Sequence, residues 1–257
     1  MADNSKADIF DGLNFVSRGG QKLAKALDYF KVTAKDKVCI DCGASTGGFT
    51  DCLLKGGAKY VYAVDVGYGQ FAWPLRNDPR VKVMERTNIR YVTSDMLPVK
   101  PELAVIDVSF ISLSIVLPVV HKLMTDHIAH SGKAGEDMSS GQTGSQEIIG
   151  AAESSFSCEA ICLIKPQFEA GKGKVGKKGV VRDPKVHEEV LCSFMEYASG
   201  AGFTVNDITH SPIKGPKGNI EYLAYLSADF LSETMPIERN AIDIKNIVDK
   251  SHKELDT

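Results

Sequence analysis

The 257-residue, 27.8 kDa sequence contains no run of eighteen apolar residues, which argues against a transmembrane helix. Its longest apolar stretches, around Val105 and Ile161, are strand-length. It opens MADNSKADIFDGL, polar and acidic, without the apolar stretch behind a basic start that a secretory signal needs. Cysteine is sparse: Cys39, Cys42, Cys52, Cys158, Cys162 and Cys192 lie mostly in apolar segments, which predicts reduced core thiols. Cys39 and Cys42 form a CxxC, but no second pair or nearby histidine follows, so no metal site is expected. A global excess of positive charge is also missing: 30 basic against 33 acidic residues leave −3, and any nucleic-acid surface must be local. No internal repeat is present. What remains is 43% hydrophobic and 25% charged, the ordinary balance of a soluble, cytoplasmic domain large enough to bury a full core.

The first thirteen residues read as a disordered lead-in. Ser17 is placed to cap a helix in which Leu23, Ala26, Leu27 and Phe30 recur at helical spacing. Short apolar strands then alternate with helices. KVCID, YVYAVDV, VKVME, ELAVIDV and EAICLIK read as strands, with helices near 47–55, 70–76, 112–124 and 183–198. Two late strands, FTVNDITH and NIEYLAYLS, have no helix between them. This rhythm predicts an α/β, Rossmann-like domain over residues 14–230: a seven-stranded, mostly parallel sheet, antiparallel at its last strand, with helices on both faces. Residues 130–158 hold seven serines and five glycines and read as a flexible insertion. Residues 231–257 read as a polar tail with a peripheral helix over 240–250.

DCGASTGGFTD, spanning Asp41 to Asp51, carries the strongest local signal. Gly43, Gly47 and Gly48, with Ser45 and Phe49, form a tight turn between the first strand and its helix. There a ligand can approach backbone N–H groups at a helix N-terminus. Asp65, twenty-two residues after Gly43, ends the second strand, where a carboxylate can grip two ribose hydroxyls. Ser45 stands where a dinucleotide fingerprint needs its second glycine, so S-adenosylmethionine fits better than NAD. Asn88, past the third strand, is either a contact to the adenine edge or a plain turn residue. Gly43-Ala-Ser45-Thr-Gly47 also spells the GxSxG nucleophile elbow of hydrolases. That elbow normally has several strands before it, and no histidine here lies in a convincing catalytic loop.

Four polar residues form a second constellation. Lys22 lies on the first helix, Asp107 and Lys165 end the fourth and fifth strands, and Glu221 opens the last. In an open α/β sheet ligands bind outside the carboxyl ends of the parallel strands, where Asp107 and Lys165 both fall.

SRGGQKL, DCGASTGGFTD, DVSFISL, LIKPQFEAGKGKVGKKGVVRD and GNIEYL, in this order over Val16 to Ser227, resemble the hemolysin-A-type (TlyA) branch of the FtsJ-like ribosomal RNA 2′-O-methyltransferases. The resemblance implies a catalytic Lys-Asp-Lys-Glu tetrad at Lys22, Asp107, Lys165 and Glu221. It also implies a cofactor loop from Gly43 to Phe49 and a ribosomal RNA or ribosomal-subunit substrate, with cytidine as the modified residue. Family members usually begin with a small RNA-binding domain, which this sequence does not show.

The tetrad is chemically coherent. A neutral lysine can accept the proton of a ribose hydroxyl, and burial or a second ammonium nearby favours that neutral form. Lys165 is assigned as base with Lys22 as its positive neighbour. Asp107 orients Lys165 and the hydroxyl, and Glu221 holds Lys22. From Lys165 to Lys185 the chain carries seven basic residues against two acidic ones. Lys172, Lys174, Lys177, Lys178 and Arg182 therefore read as a mobile, phosphate-contacting flap, which Lys214 and Lys217 extend. With Phe168 alone among them, base stacking is not indicated there. The competing readings are a membrane-active hemolysin, which no apolar or amphipathic segment supports, and an RNA-binding protein without catalysis, against which the filled tetrad speaks.

Overall fold

The computed structural model describes residues 10, 12–131, 157–171, 173–229 and 241–256. Lys172 and most of the expected lead-in and insertion lie outside that set, as do residues 230–240 of the tail. Seven strands form one sheet in the order β3-β2-β1-β4-β5-β7-β6. They are β1 (Val38–Cys42), β2 (Tyr60–Val64), β3 (Val81–Met84), β4 (Leu103–Ile106), β5 (Ser157–Ile164), β6 (Thr204–His210) and β7 (Tyr222–Asp229). The first five run parallel, and β7 lies between β5 and β6, antiparallel to both.

All five residues of β1 are buried, as a central strand covered on both faces requires. Strand alternation then sorts the core. Ile40, Cys42, Tyr62, Ala104 and Ile106 pack with α4 (Leu113–Ser131) and α6 (Pro184–Gly200) on one face. Cys39, Val61 and Val105 face the other way, against Leu23 and Leu27 of α1 (Gly19–Phe30) and Leu53 of α2 (Gly48–Lys55). Short helices α3 (Trp73–Arg76) and α5 (Pro166–Glu169) follow β2 and β5.

Three expectations change. Ser17 does not cap α1: Arg18 holds that position without a side-chain bond, and Ser17 packs against Gly48 instead. β2, β3, β4 and β5 stop one or two residues short of the expected runs, so that Asp65, Asp107 and Lys165 fall just outside the sheet. β1 and β7 instead run one and two residues further than expected. The last helix, α7 (Ile244–Leu255), is not peripheral. It buries Val248 and Ser251, and Ser251 Oγ lies 3.0 Å from the hydroxyl of buried Tyr222.

Candidate active site

The carboxyl ends of β1, β4 and β5, together with α1 and the turn before β7, enclose a cleft of about 520 Å³. Lys22, Gly43, Ser45, Gly48, Phe49, Asp107, Lys165 and Glu221 line it, so eight sequence-identified positions converge.

The glycine turn is held from behind. Gly43 and Ala44 donate their N–H groups to Val64 O at 2.8 and 3.1 Å. Gly43 has φ of 92°, and a Cβ there would fall 2.5 Å from Asp107 O, so the turn requires glycine on two counts. Ser45 also takes a left-handed φ of 49°, and its N–H donates to Asp65 Oδ2 at 2.8 Å. Asp65 Oδ1 accepts from Gly67 N–H at 2.6 Å. Asp65 is thus half-exposed at the end of β2 and ties the loop to that strand, with carboxylate lone pairs left for a ligand.

Asp41, Gly47, Asp65 and Asn88 do not line the cleft. Asp41 is fully buried at the end of β1, where its Oδ2 accepts from Thr50 Oγ1 at 2.7 Å and its Oδ1 has no partner. Burial pushes its carboxyl up to about 7, the Thr50 hydrogen bond opposing that rise. Gly47 is the N-cap of α2. Asn88 Oδ1 accepts from Arg90 N–H at 3.1 Å, the bond of a turn-capping residue.

The tetrad forms two ion pairs at the ends of the neighbouring strands β4, β5 and β7. Lys22 Nζ reaches Glu221 Oε2 at 2.6 Å, with both side chains buried. Lys165 Nζ stands 2.5 Å from Asp107 Oδ1 and donates to Ser109 Oγ at 2.9 Å. Glu221 Oε1 accepts from Gln167 Nε2 at 3.1 Å. Ser109 and Gln167 were missed in the sequence, yet each sits two residues past a tetrad member. Ser109 follows Asp107 and braces that same pair, and Gln167 follows Lys165 and braces the Lys22–Glu221 pair. That i, i+2 offset was the signal available. Phe110, left-handed at φ 64° and almost wholly exposed, pairs with Phe168 at 5.0 Å, so Phe168 does not stand alone.

The basic loop between β5 and α6 is less free than its glycines predict. Asn219 pins it twice: its Oδ1 accepts from Val181 N–H at 3.0 Å and its Nδ2 donates to Gly179 O at 2.9 Å. Lys177, Lys178 and Arg182 are exposed, whereas Lys174 pairs with Glu189. Lys217 of the neighbouring turn reaches the cleft wall. Glu169 does not offset this charge, because it holds the start of α4 through Ser112 Oγ at 2.6 Å and Leu113 N–H at 2.9 Å.

The hydrolase reading fails on geometry: no residue lining the cleft is a histidine, and Asp107 engages a lysine. Among the described residues no cluster of three or more metal-ligating side chains occurs, and no helix is long and apolar enough to cross a membrane.

A sheet of this order, with a glycine turn after β1 and an acid after β2, defines the Rossmann-like methyltransferase class. Sequence comparison narrows it: the chain matches the FtsJ-like methyltransferase model over residues 15–228 and belongs to that family. It is 46% identical to YqxC of Bacillus subtilis, over 95% of this chain and 76% of that one. It is 42% identical to TlyA of Mycobacterium tuberculosis, named a 16S/23S rRNA (cytidine-2′-O)-methyltransferase, over 82% of this chain and 68% of that one. A solved structure from Streptococcus thermophilus, titled as a hemolysin, superposes with a TM-score of 0.77 at 40% identity, covering 96% of this chain and 77% of that one.

Proposed function

We propose that this protein is an S-adenosylmethionine-dependent methyltransferase acting on a ribose 2′-hydroxyl of ribosomal RNA, the modified residue being a cytidine. The observation that carries this reading is the pair of lysine–carboxylate contacts converging on one cleft beside the glycine turn. When bound, the cofactor supplies an electrophilic methyl group on a sulfonium. The Gly43–Phe49 turn and the N-terminus of α2 would hold it, and Asp65 would take its ribose hydroxyls. Phe49 lines the cleft beneath the turn, whereas Asp41 supports that turn through Thr50 from behind the cleft wall.

Lys165 is the base. Its neutral form, reached by loss of the ammonium proton before transfer, accepts the hydroxyl proton at Nζ, and Asp107 and Ser109 fix where that nitrogen points. Lys22 and Glu221, beside Lys165 at the start of β7, orient the ribose, so that attacker and methyl group are held in line. The Phe110–Phe168 pair offers the bound nucleotide an apolar face beside Lys165. Lys177, Lys178 and Arg182, with Lys217 at the wall, contact phosphates on the approach side. The enzyme is expected to work in the cytoplasm, where ribosomal subunits are its substrates.

The test is transfer of labelled methyl from S-adenosylmethionine to naked rRNA and to separate ribosomal subunits, followed by mapping of the modified nucleotide. Label on a ribose 2′-oxygen is the expected result. Label confined to a base, or none with any substrate, overturns the proposal. The hemolysin alternative is tested by liposome leakage, and none is expected.

A further inference from the structure

The segment leaving β2 has two faces of opposite character. Phe71 and Leu75 are each only 6% exposed, and Ala72 N–H donates to Thr46 O at 3.1 Å. The apolar seal beneath the glycine turn is therefore complete. Tyr68 and Trp73 of the same segment are 69% and 72% exposed, and Tyr91, in the turn after β3, is 72% exposed. Trp73 is the only tryptophan in the sequence. Packing of the segment accounts for Phe71 and Leu75 but gives no reason for large aromatic rings to face solvent.

The charges around these rings are of one effective sign. The Arg86 guanidinium lies 4.1 Å above the Tyr68 ring, and Arg90 lies beside Tyr91. Glu85 is neutralised by Arg76 at 2.7 Å and by Gly69 N–H at 2.8 Å. Asp65 is turned toward the Ser45 and Gly67 N–H groups. Arg86 and Arg90 make no ion pair with a described carboxylate.

Position supplies the occupant. β2 and β3 end on the edge of the sheet that carries the cleft, on the side away from β5 and its lysine loop. An RNA strand lying across the cleft meets phosphate-binding lysines on one side and this face on the other. Exposed tyrosine and tryptophan with unpaired arginines match the chemistry that holds unpaired nucleotides, in which bases stack on rings and guanidinium groups meet phosphates.

We infer that Tyr68, Trp73, Tyr91, Arg86 and Arg90 form a second RNA-contacting face, which stacks unpaired bases flanking the target nucleotide. This inference rests on the RNA substrate proposed above. The test is binding of a single-stranded rRNA oligonucleotide to the full chain, by fluorescence anisotropy across a salt series. Tyr68→Ala/Trp73→Ala is expected to weaken binding about tenfold or more, since each stacked base contributes substantially. Its salt slope should match the parent, because no cation is removed, and its S-adenosylmethionine affinity should not change. Arg86→Gln is expected to lower the slope by about 0.7, one single-strand phosphate contact. Parental RNA affinity in the folded double variant overturns this inference alone. Weakened binding to a ribosomal subunit with normal oligonucleotide binding assigns the face to a ribosomal protein and also overturns it. A parent that binds no RNA overturns the substrate reading together with this one.

Discussion

Lys22 and Glu221 are 199 residues apart in the chain and 2.6 Å apart in the fold. The pair joins α1 to the start of β7 across one wall of the cleft, with exposures of only 5% and 1%. Two ions taken this far from water lose much of their Coulombic gain to desolvation, so the pair is poor evidence for stabilisation as such. Gln167 Nε2 and the close approach of Gly215 complete a cage around the Glu221 carboxylate. A site built at such cost is better explained by function.

Stability and activity should therefore separate. Glu221→Ala leaves a buried ammonium without its partner and is expected to destabilise by about 3–5 kcal/mol. The double variant Lys22→Met/Glu221→Leu should recover most of that loss and still transfer no methyl group at a useful rate. Urea unfolding and labelled-methyl transfer on the same samples decide it. A double variant that regained activity along with stability would make the pair a structural brace.

Asp65 gives the second prediction. Its two oxygens already hold the Ser45 and Gly67 N–H groups, so Asp65→Ala removes both a ribose acceptor and the anchor of the turn. S-adenosylmethionine affinity is expected to fall by about 1.5–3 kcal/mol, the range for hydrogen bonds to a charged group. Calorimetry measures this, and unchanged affinity in a folded variant removes Asp65 from the cofactor site.

Asp41 makes stability depend on pH. Its carboxyl ionises near pH 4 in the unfolded chain and, in the folded protein, only at about 7. Between those values the folded state holds the extra proton. This group's contribution therefore declines as pH rises from about 4 to about 7, by up to about 1.4 kcal/mol per pH unit, and stays lost above. Asp41→Asn keeps an acceptor for Thr50 and does not titrate. Urea unfolding without cofactor at pH 5 and pH 8 should show the parent losing more stability than the variant. Parallel losses would mean that Asp41 titrates normally.

The basic loop gives a fourth prediction. Lys174→Gln/Lys177→Gln/Lys178→Gln should weaken RNA binding and reduce the logarithmic salt slope by about 0.7–0.9 per lost phosphate contact. Lys174 must leave Glu189 to reach a phosphate, so the total should fall below three full contacts. A parental slope would make the loop a solvated surface.

Asp107, Lys165 and Glu221 were singled out in the sequence because each interrupts an apolar run or follows one, and Lys22 through the SRGGQKL motif; the structure brings all four to one cleft. The seven strands and their mostly parallel pairing were legible in the alternation of buried runs with helices, down to the reversed last strand, but their order in the sheet was not. Less was legible where a side chain's partner is distant in the chain. Asp41 follows the same pattern as the cofactor loop yet faces α2, and Asn219 gave no sign that it would pin the basic loop. Phe110 reads as part of an apolar stretch, DVSFISL, and only the left-handed turn there puts its ring outside. Tyr68 and Trp73 were not singled out in the sequence, because periodicity over the few positions near 70–76 does not separate the two faces of so short a helix.

The last prediction concerns the base. Lys165 contacts Asp107 and Ser109, and it also lies 5.9 Å from the Phe168 ring, so its position is set from three sides. Lys165→Arg keeps a positive charge in that place but cannot give up a proton at any useful pH. If Lys165 only anchored a phosphate, arginine would serve nearly as well. As general base, its loss should lower single-turnover methyl transfer by at least about 10²-fold, while S-adenosylmethionine binding persists because the glycine turn and Asp65 are untouched. The parental rate should rise with pH, as a reaction that needs a deprotonated base does, and that limb should be absent in the variant. Ser109→Ala separates orientation from chemistry. It removes one of the two polar contacts of Nζ, so it should reduce the rate by a smaller factor and keep the limb. The measurement is single-turnover transfer to saturating rRNA across a pH series. An arginine variant within a few-fold of the parent, with the limb intact, would show that the proton leaves by another route.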